Sequence, residues 1–122
     1  MRKVTLIALA AIIFSNAPAM AGISANNKIS GGDALLIGGT QPGWIDIDGQ
    51  NRGETDLILI INNDGTAKTL ETIAPGQRFI QAVPKNGVFV IRNASDVEAA
   101  KVYWHISGYS DLANARLDSE SD

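Results

Sequence analysis

From Ala34 to Tyr109 the chain is a succession of short apolar or alternating runs, separated by turns that carry glycine or proline. Ala34–Gly39 (ALLIGG) is an apolar run closed by glycines and by Gln41-Pro42-Gly43, the pattern of a strand entering a turn. The next segment, WIDID, alternates strictly. Trp44, Asp46 and Asp48 fall on one face of a strand and Ile45 and Ile47 on the other. Asp56–Asn62 (DLILIIN) is continuously apolar and rich in β-branched isoleucine, which suits a central strand covered on both faces.

Asn63-Asp64-Gly65-Thr66 is the strongest local signal in the chain. Asp-Gly between two strand-like runs favours a tight hairpin, because both turn positions need positive φ. The return strand, Ala67–Ile73, has Leu70 and Ile73 out of phase, and this predicts a bulge. Ala74-Pro75-Gly76-Gln77 carries type II turn chemistry. Arg78–Val83 and Val88–Ala94 then read as strands around a turn at Pro84–Gly87. Ser95–Ala99 opens like a helix cap, with Glu98 three residues after Ser95, but is long enough only for a turn. Ala100–Tyr109 is the last strand. Val102, Trp104 and Ile106 share its core face, and Tyr103, His105 and Ser107 share the other.

This pattern gives about seven short strands, closely spaced, with no helix of ordinary length after the N-terminal segment and no internal repeat. It predicts an all-β fold, a small antiparallel β-sandwich of immunoglobulin-like or jelly-roll-like topology, over residues 34–110. Residues 22–33 (GISANNKISGGD) are small and polar. They read as a flexible lead-in with at most a short strand near Ile29. Residues 111–122 form a polar tail, acidic at its end, expected to fray.

The N-terminus has a different logic. Arg2 and Lys3 precede the apolar run Val4–Phe14, and SNAPAMA follows with small residues at Ala19 and Ala21. That order of basic, apolar and small-residue regions is a secretory signal peptide, residues 1–21, with cleavage after Ala21. The apolar run is shorter than the ~20 residues a membrane span needs. The expected location is therefore the periplasm or the extracellular space.

The whole chain carries 10 basic and 13 acidic residues, a net charge of −3. Loss of Arg2 and Lys3 leaves the remainder more acidic. Its charges are dispersed with no Lys/Arg cluster, which argues against nucleic acid or an anionic membrane surface as partner. There is no cysteine. A disulfide framework, a thiolate metal site and a cysteine nucleophile are thereby excluded, and the core must hold the domain by burial.

Two stretches carry candidate chemistry. The first is WIDIDGQNRGETD, with Asp46, Asp48, Glu54 and Asp56. It begins like a helix–loop–helix calcium loop. However, the sixth position is Asn51 where glycine is needed, the twelfth is Leu57 where a bidentate carboxylate is needed, and the exit is a strand. The remaining readings are a calcium site in a sandwich loop, built on these four carboxylates, or a solvated acidic loop partly neutralised by Arg52. The second stretch is the last strand. Tyr103, His105 and Tyr109, with Trp44 elsewhere, could form an exposed aromatic surface for a sugar ring or a protein. Alternatively, that strand is covered on both faces.

Catalysis finds no support. The one histidine, His105, has no nucleophile patterned near it, there is no G-x-S-x-G elbow, and Asp46 and Asp48 stand side by side on one strand rather than across a cleft. The sequence therefore predicts a non-catalytic exported module for protein interaction or structure at the cell envelope or extracellular matrix, with a protein partner or self-association. The alternative is a module binding carbohydrate, calcium or both. No cofactor other than calcium is expected.

Overall fold

The computed structural model describes residues 10–12 and 23–109. The tail 111–122 and most of the expected signal peptide lie outside them. Nine strands follow in chain order: β1 Ala10–Ile12, β2 Ser24–Ile29, β3 Ala34–Gly38, β4 Ile45–Asn51, β5 Leu57–Asn63, β6 Thr66–Ile73, β7 Arg78–Val83, β8 Val88–Asn93 and β9 Ala100–Tyr109. The described residues contain no helix. The strands form two sheets, one ordered β1-β3-β8-β5-β6 and the other β2-β9-β4-β7.

The fold is organised around the predicted hairpin. Asp64 and Gly65 both take positive φ, 54° and 78°, and join β5 to β6. Moving outward from that turn, each earlier strand pairs antiparallel with its counterpart on the return: β4 with β7, β3 with β8, β2 with β9. The chain is thus one long hairpin rolled so that its paired strands alternate between two sheets. Cross-pairs β5–β8 and β4–β9 knit each sheet together. This nested order over eight strands is that of a jelly roll rather than an immunoglobulin sandwich.

The eighth strand of the roll is β2, which lies in the segment read from sequence as a flexible lead-in. Residues 24–29 pair with β9 across their whole length, and Trp104 Nε1 donates a 2.7 Å hydrogen bond to Asn27 Oδ1. A polar segment of this kind orders because a neighbouring strand supplies its ladder, not because of its own propensity. The expected bulge is also present. Leu59 faces Glu71 and Ile60 faces Thr69, so Leu70 is the additional residue on β6.

The inner faces of the two sheets meet in one core. Leu35, Ile37, Leu57, Leu59, Phe89 and Ile91 from one sheet face Ile45, Ile47, Val83, Val102, Trp104 and Ile106 from the other, all almost fully buried. Phe79 and Phe89 tie the layers together with ring centroids 6.1 Å apart. Burying each large aliphatic side chain is worth roughly 1.5–3 kcal/mol, so this layer explains how a chain without cysteine holds its fold. Trp104 and its inward neighbours occupy the core face predicted from the alternation of β9.

Three buried amides close the ends of the roll. Asn51 Nδ2 donates to the carbonyls of Thr55 and Ile73 at 2.8 and 2.9 Å. Asn93 Nδ2 donates to Ile29 and Glu98, and its Oδ1 accepts from Thr55 Oγ1 and Ser95 N. At the other end, Gln41 Nε2 donates to the carbonyls of Pro84 and Gly87, 2.8 Å each. Loop carbonyls that burial would otherwise strip of water are satisfied by these side chains.

Candidate functional site: the outer face of the four-stranded sheet

The outer face of β2-β9-β4-β7 gathers most of the residues singled out from sequence. Its geometry follows from register and alternation. Asp48 on β4 lies between His105 on β9 and Ile80 on β7, and Ser24 on β2 lies on the far side of His105. In the next row Asn26, Tyr103, Gln50 and Arg78 stand side by side. Beyond it, Lys28 is directly opposite Lys101.

Tyr103 and His105 are half-buried here, so this face of the last strand is wet, in contrast to the Val102–Trp104–Ile106 face. Arg52 leaves the end of β4 with its backbone N–H bonded to the Lys101 carbonyl at 2.9 Å. Its guanidinium carbon lies 5.0 Å from the centre of the Tyr103 ring, within the range of a cation–π contact. Arg52 Nε donates to Gln50 Oε1 at 3.1 Å, and Gln50 Nε2 in turn donates to the Gly76 carbonyl at 3.1 Å. A short polar chain therefore poses the cation over the aromatic ring.

The other candidates are spread more widely. Trp44 is 36% exposed and sits just before β4, six positions along the chain from Gln50, at the opposite end of the face from Tyr103. Tyr109 closes β9 opposite Ile45; its side chain lies outside the described part. Asp46 is 6% exposed, and its backbone carbonyl accepts a 3.4 Å hydrogen bond from Ser107 Oγ. Asp48 is half-buried, whereas Glu54 and Asp56 are exposed on the 52–56 connection beyond the far end of β4. Among the described residues, no three His, Cys, Asp or Glu side chains come together in a way that could hold a metal ion.

Sequence reasoning missed the basic end of this face. Lys28, Arg52, Arg78 and Lys101 come from four separate segments, and pairing of β2, β9, β4 and β7 places them on two adjacent rows. Lys28, Arg52, Arg78 and Lys101 are all exposed. The available signal was parity, since Lys101 is in phase with Tyr103 and His105. Ile80, an apolar side chain 55% exposed on β7, was likewise hidden inside a run that reads simply as a strand. Two open depressions lie among the described residues, one beside Gln50, Arg52 and Gly76 and one beside Asp48, Glu71, Arg78 and Ile80.

Comparison with known proteins locates the fold. No family model and no curated protein matches the chain. Among solved structures, it is similar to PliG of Aeromonas hydrophila, a periplasmic lysozyme inhibitor of g-type lysozyme, with a TM-score of 0.53 and 13% sequence identity. The match covers 80% of this chain and 95% of that one. At this identity the likeness establishes a shared β-sandwich architecture.

Proposed function

We propose that the chain is an exported, non-catalytic module that binds a protein partner through the outer face of its four-stranded sheet. The reading rests on one observation above the rest: Lys28 and Lys101 face each other directly, with Arg52 bonded alongside, on an exposed sheet surface. Like charges directly opposite on neighbouring strands destabilise a sheet. Their presence in a chain of net negative charge fits a surface meant to be covered by something acidic. Tyr103, Ile80 and Arg52 supply beside it the aromatic, apolar and guanidinium groups that carry binding energy at protein interfaces. The shared architecture with a periplasmic inhibitor that binds an enzyme supports both export and protein binding.

The same face could take a carbohydrate on Tyr103, but Arg52 already lies over that ring, and a sugar would have to displace it. The protein reading is therefore preferred.

The test compares wild type with the double variant Arg52→Glu, Lys101→Glu in chemical cross-linking within the compartment to which the chain is exported, followed by direct binding to each cross-linked protein. A g-type lysozyme inhibition assay belongs in the panel. Binding that falls at least tenfold in the double variant and weakens with salt supports the proposal. Equal binding by both forms removes the face as the docking surface. A chain that cross-links only to itself replaces the partner with a second copy.

A further inference from the structure

With β1 set aside, the eight-stranded roll has four edge strands, β2, β3, β6 and β7, and they are not alike. β2 carries Lys28, β6 carries Lys68, Glu71 and a bulge, and β7 carries Arg78 and is followed at once by Pro84. Charges, bulges and prolines are the usual means by which a sheet edge is kept from pairing with another chain. The fourth edge, β3, has none of them within its length, the nearest charge being Asp33 just before it. Ala34, Leu35, Leu36, Ile37 and Gly38 are uncharged throughout. Leu35 and Ile37 are anchored in the core, so the strand is held rigidly in place.

This is also the edge on which the chain's own apolar segment is seated. Ala10, Ala11 and Ile12 pair in parallel with Leu35, Leu36 and Ile37. The segment belongs to the stretch whose sequence predicts a signal peptide ending at Ala21. Removal of residues 1–21 takes β1 away and leaves the outward N–H and C=O groups of β3 without a strand neighbour.

We propose that β3 of the exported chain is a strand-accepting site, which takes an extended, uncharged apolar segment of a partner protein in parallel register, as it takes Ala10–Ile12. Main-chain hydrogen bonds give such a site its affinity, and the alternate side chains of the incoming strand give it selectivity. In the precursor the leader occupies the position, so the edge becomes available only on processing. The site is separate from the basic outer face of the other sheet, and each can fail without the other.

The experiment uses the chain recovered after export, with its N-terminus read by mass spectrometry. Amide exchange is followed at residues 34–38 and, as an internal standard for folding, at 102–106. The probe is a synthetic peptide of residues 8–14 flanked by lysines for solubility, and its control is the same peptide with proline at the position of Ala11. The expected result is a chain beginning at Gly22, whose outward β3 amides exchange freely and slow about tenfold or more with the probe, while the proline peptide has no effect. Unchanged exchange at millimolar probe, with 102–106 still protected, overturns the proposal. So does equal protection by the proline peptide, or recovery of a chain that retains residues 1–21. Concentration-dependent protection of 34–38 without any peptide also overturns it, in favour of pairing between two copies.

Discussion

Arg52, just past the end of β4, lies over the ring of Tyr103 at 5.0 Å, held there by Gln50 of β4. Both partners are accessible, so the contact contributes little to folding and leaves a cation and an aromatic ring ready for use. Arg52→Ala should destabilise the domain by about 0.5–1 kcal/mol, the range for exposed cation–π pairs. For a domain of this size that is a fall in Tm of roughly 4–8 °C per kcal/mol. Thermal melts of Arg52→Ala and Tyr103→Leu, with their double variant, measure the coupling. A loss above about 3 kcal/mol for Arg52→Ala alone would make the side chain a structural strut.

Asn93 presents the opposite case. It is 2% exposed, and its amide ties the end of β8 to three connections. Asn93→Ala leaves the Ile29 and Glu98 carbonyls, the Thr55 hydroxyl and the Ser95 N–H without their partner. At about 1–3 kcal/mol for each group left unsatisfied, a loss of roughly 3 kcal/mol or more is expected. Asn93→Asp should also destabilise, but in a pH-dependent way. It sets a carboxylate against the two carbonyls that accept from Nδ2, which favours the protonated acid in the folded state and raises its pKa above the unfolded value. The folded state then binds more protons than the unfolded one, so the stability of this variant relative to wild type falls as pH rises through the folded pKa. Urea unfolding between pH 4 and pH 8 reads this directly, and a difference that stays constant across that range would refute it.

Alternation and turn chemistry made most of the sandwich legible. The Asp64-Gly65 hairpin, the Leu70 bulge and the inward face of Trp104 were all readable because each is a local property of a few consecutive residues. β2 was not, because a polar segment such as SANNKI becomes a strand only when β9 offers it a ladder. The choice of a jelly roll over an immunoglobulin order depends on which strands pair, and no local pattern encodes that. The site shows the same division. That Tyr103 and His105 share a face follows from period two. That Lys28, Arg52 and Arg78 join them depends on register between distant strands.

Two glycines should resist substitution for different reasons. A Cβ at Gly49, in the middle of β4, would run into the Tyr103 carbonyl oxygen and stand 2.6 Å from Cζ of Phe79. β9 and the Phe79 ring would both have to move, so Gly49→Ala should lose about 2–3 kcal/mol or prevent folding. A Cβ at Gly65 meets nothing within 4 Å, but the residue has φ of 78°. Gly65→Ala should therefore lose only about 1 kcal/mol from backbone strain, while Gly65→Asn, a residue that tolerates this conformation, should lose less. Chemical denaturation of the three variants tests the order Gly49→Ala, Gly65→Ala, Gly65→Asn.

The four carboxylates of residues 46–56 should not act together on a cation. Asp48 is flanked in register by His105 and Ile80, and Glu54 and Asp56 lie on a connection beyond the end of β4. Calcium needs six or more oxygens in one shell. Millimolar calcium should leave Tm unchanged and give no heat in titration calorimetry. A rise of several degrees, abolished by Asp48→Asn, would show that the 52–56 connection can fold back over the strand.

Lys28→Glu separates folding from binding by sign. In the wild type, Lys28 and Lys101 repel each other across β2 and β9. A glutamate at position 28 turns that repulsion into an attractive cross-strand pair, worth roughly 0.2–1 kcal/mol. The variant should therefore melt slightly higher than wild type. If the basic end of the face meets an acidic partner, the same variant should bind more weakly, mainly through a slower on-rate, and its affinity should depend less on salt. A residue kept only for the fold cannot give that combination, since its replacement would lower stability or leave binding untouched. Melting curves with stopped-flow association at two ionic strengths measure both quantities. A variant that is more stable and binds as fast as wild type would remove Lys28 from the interface.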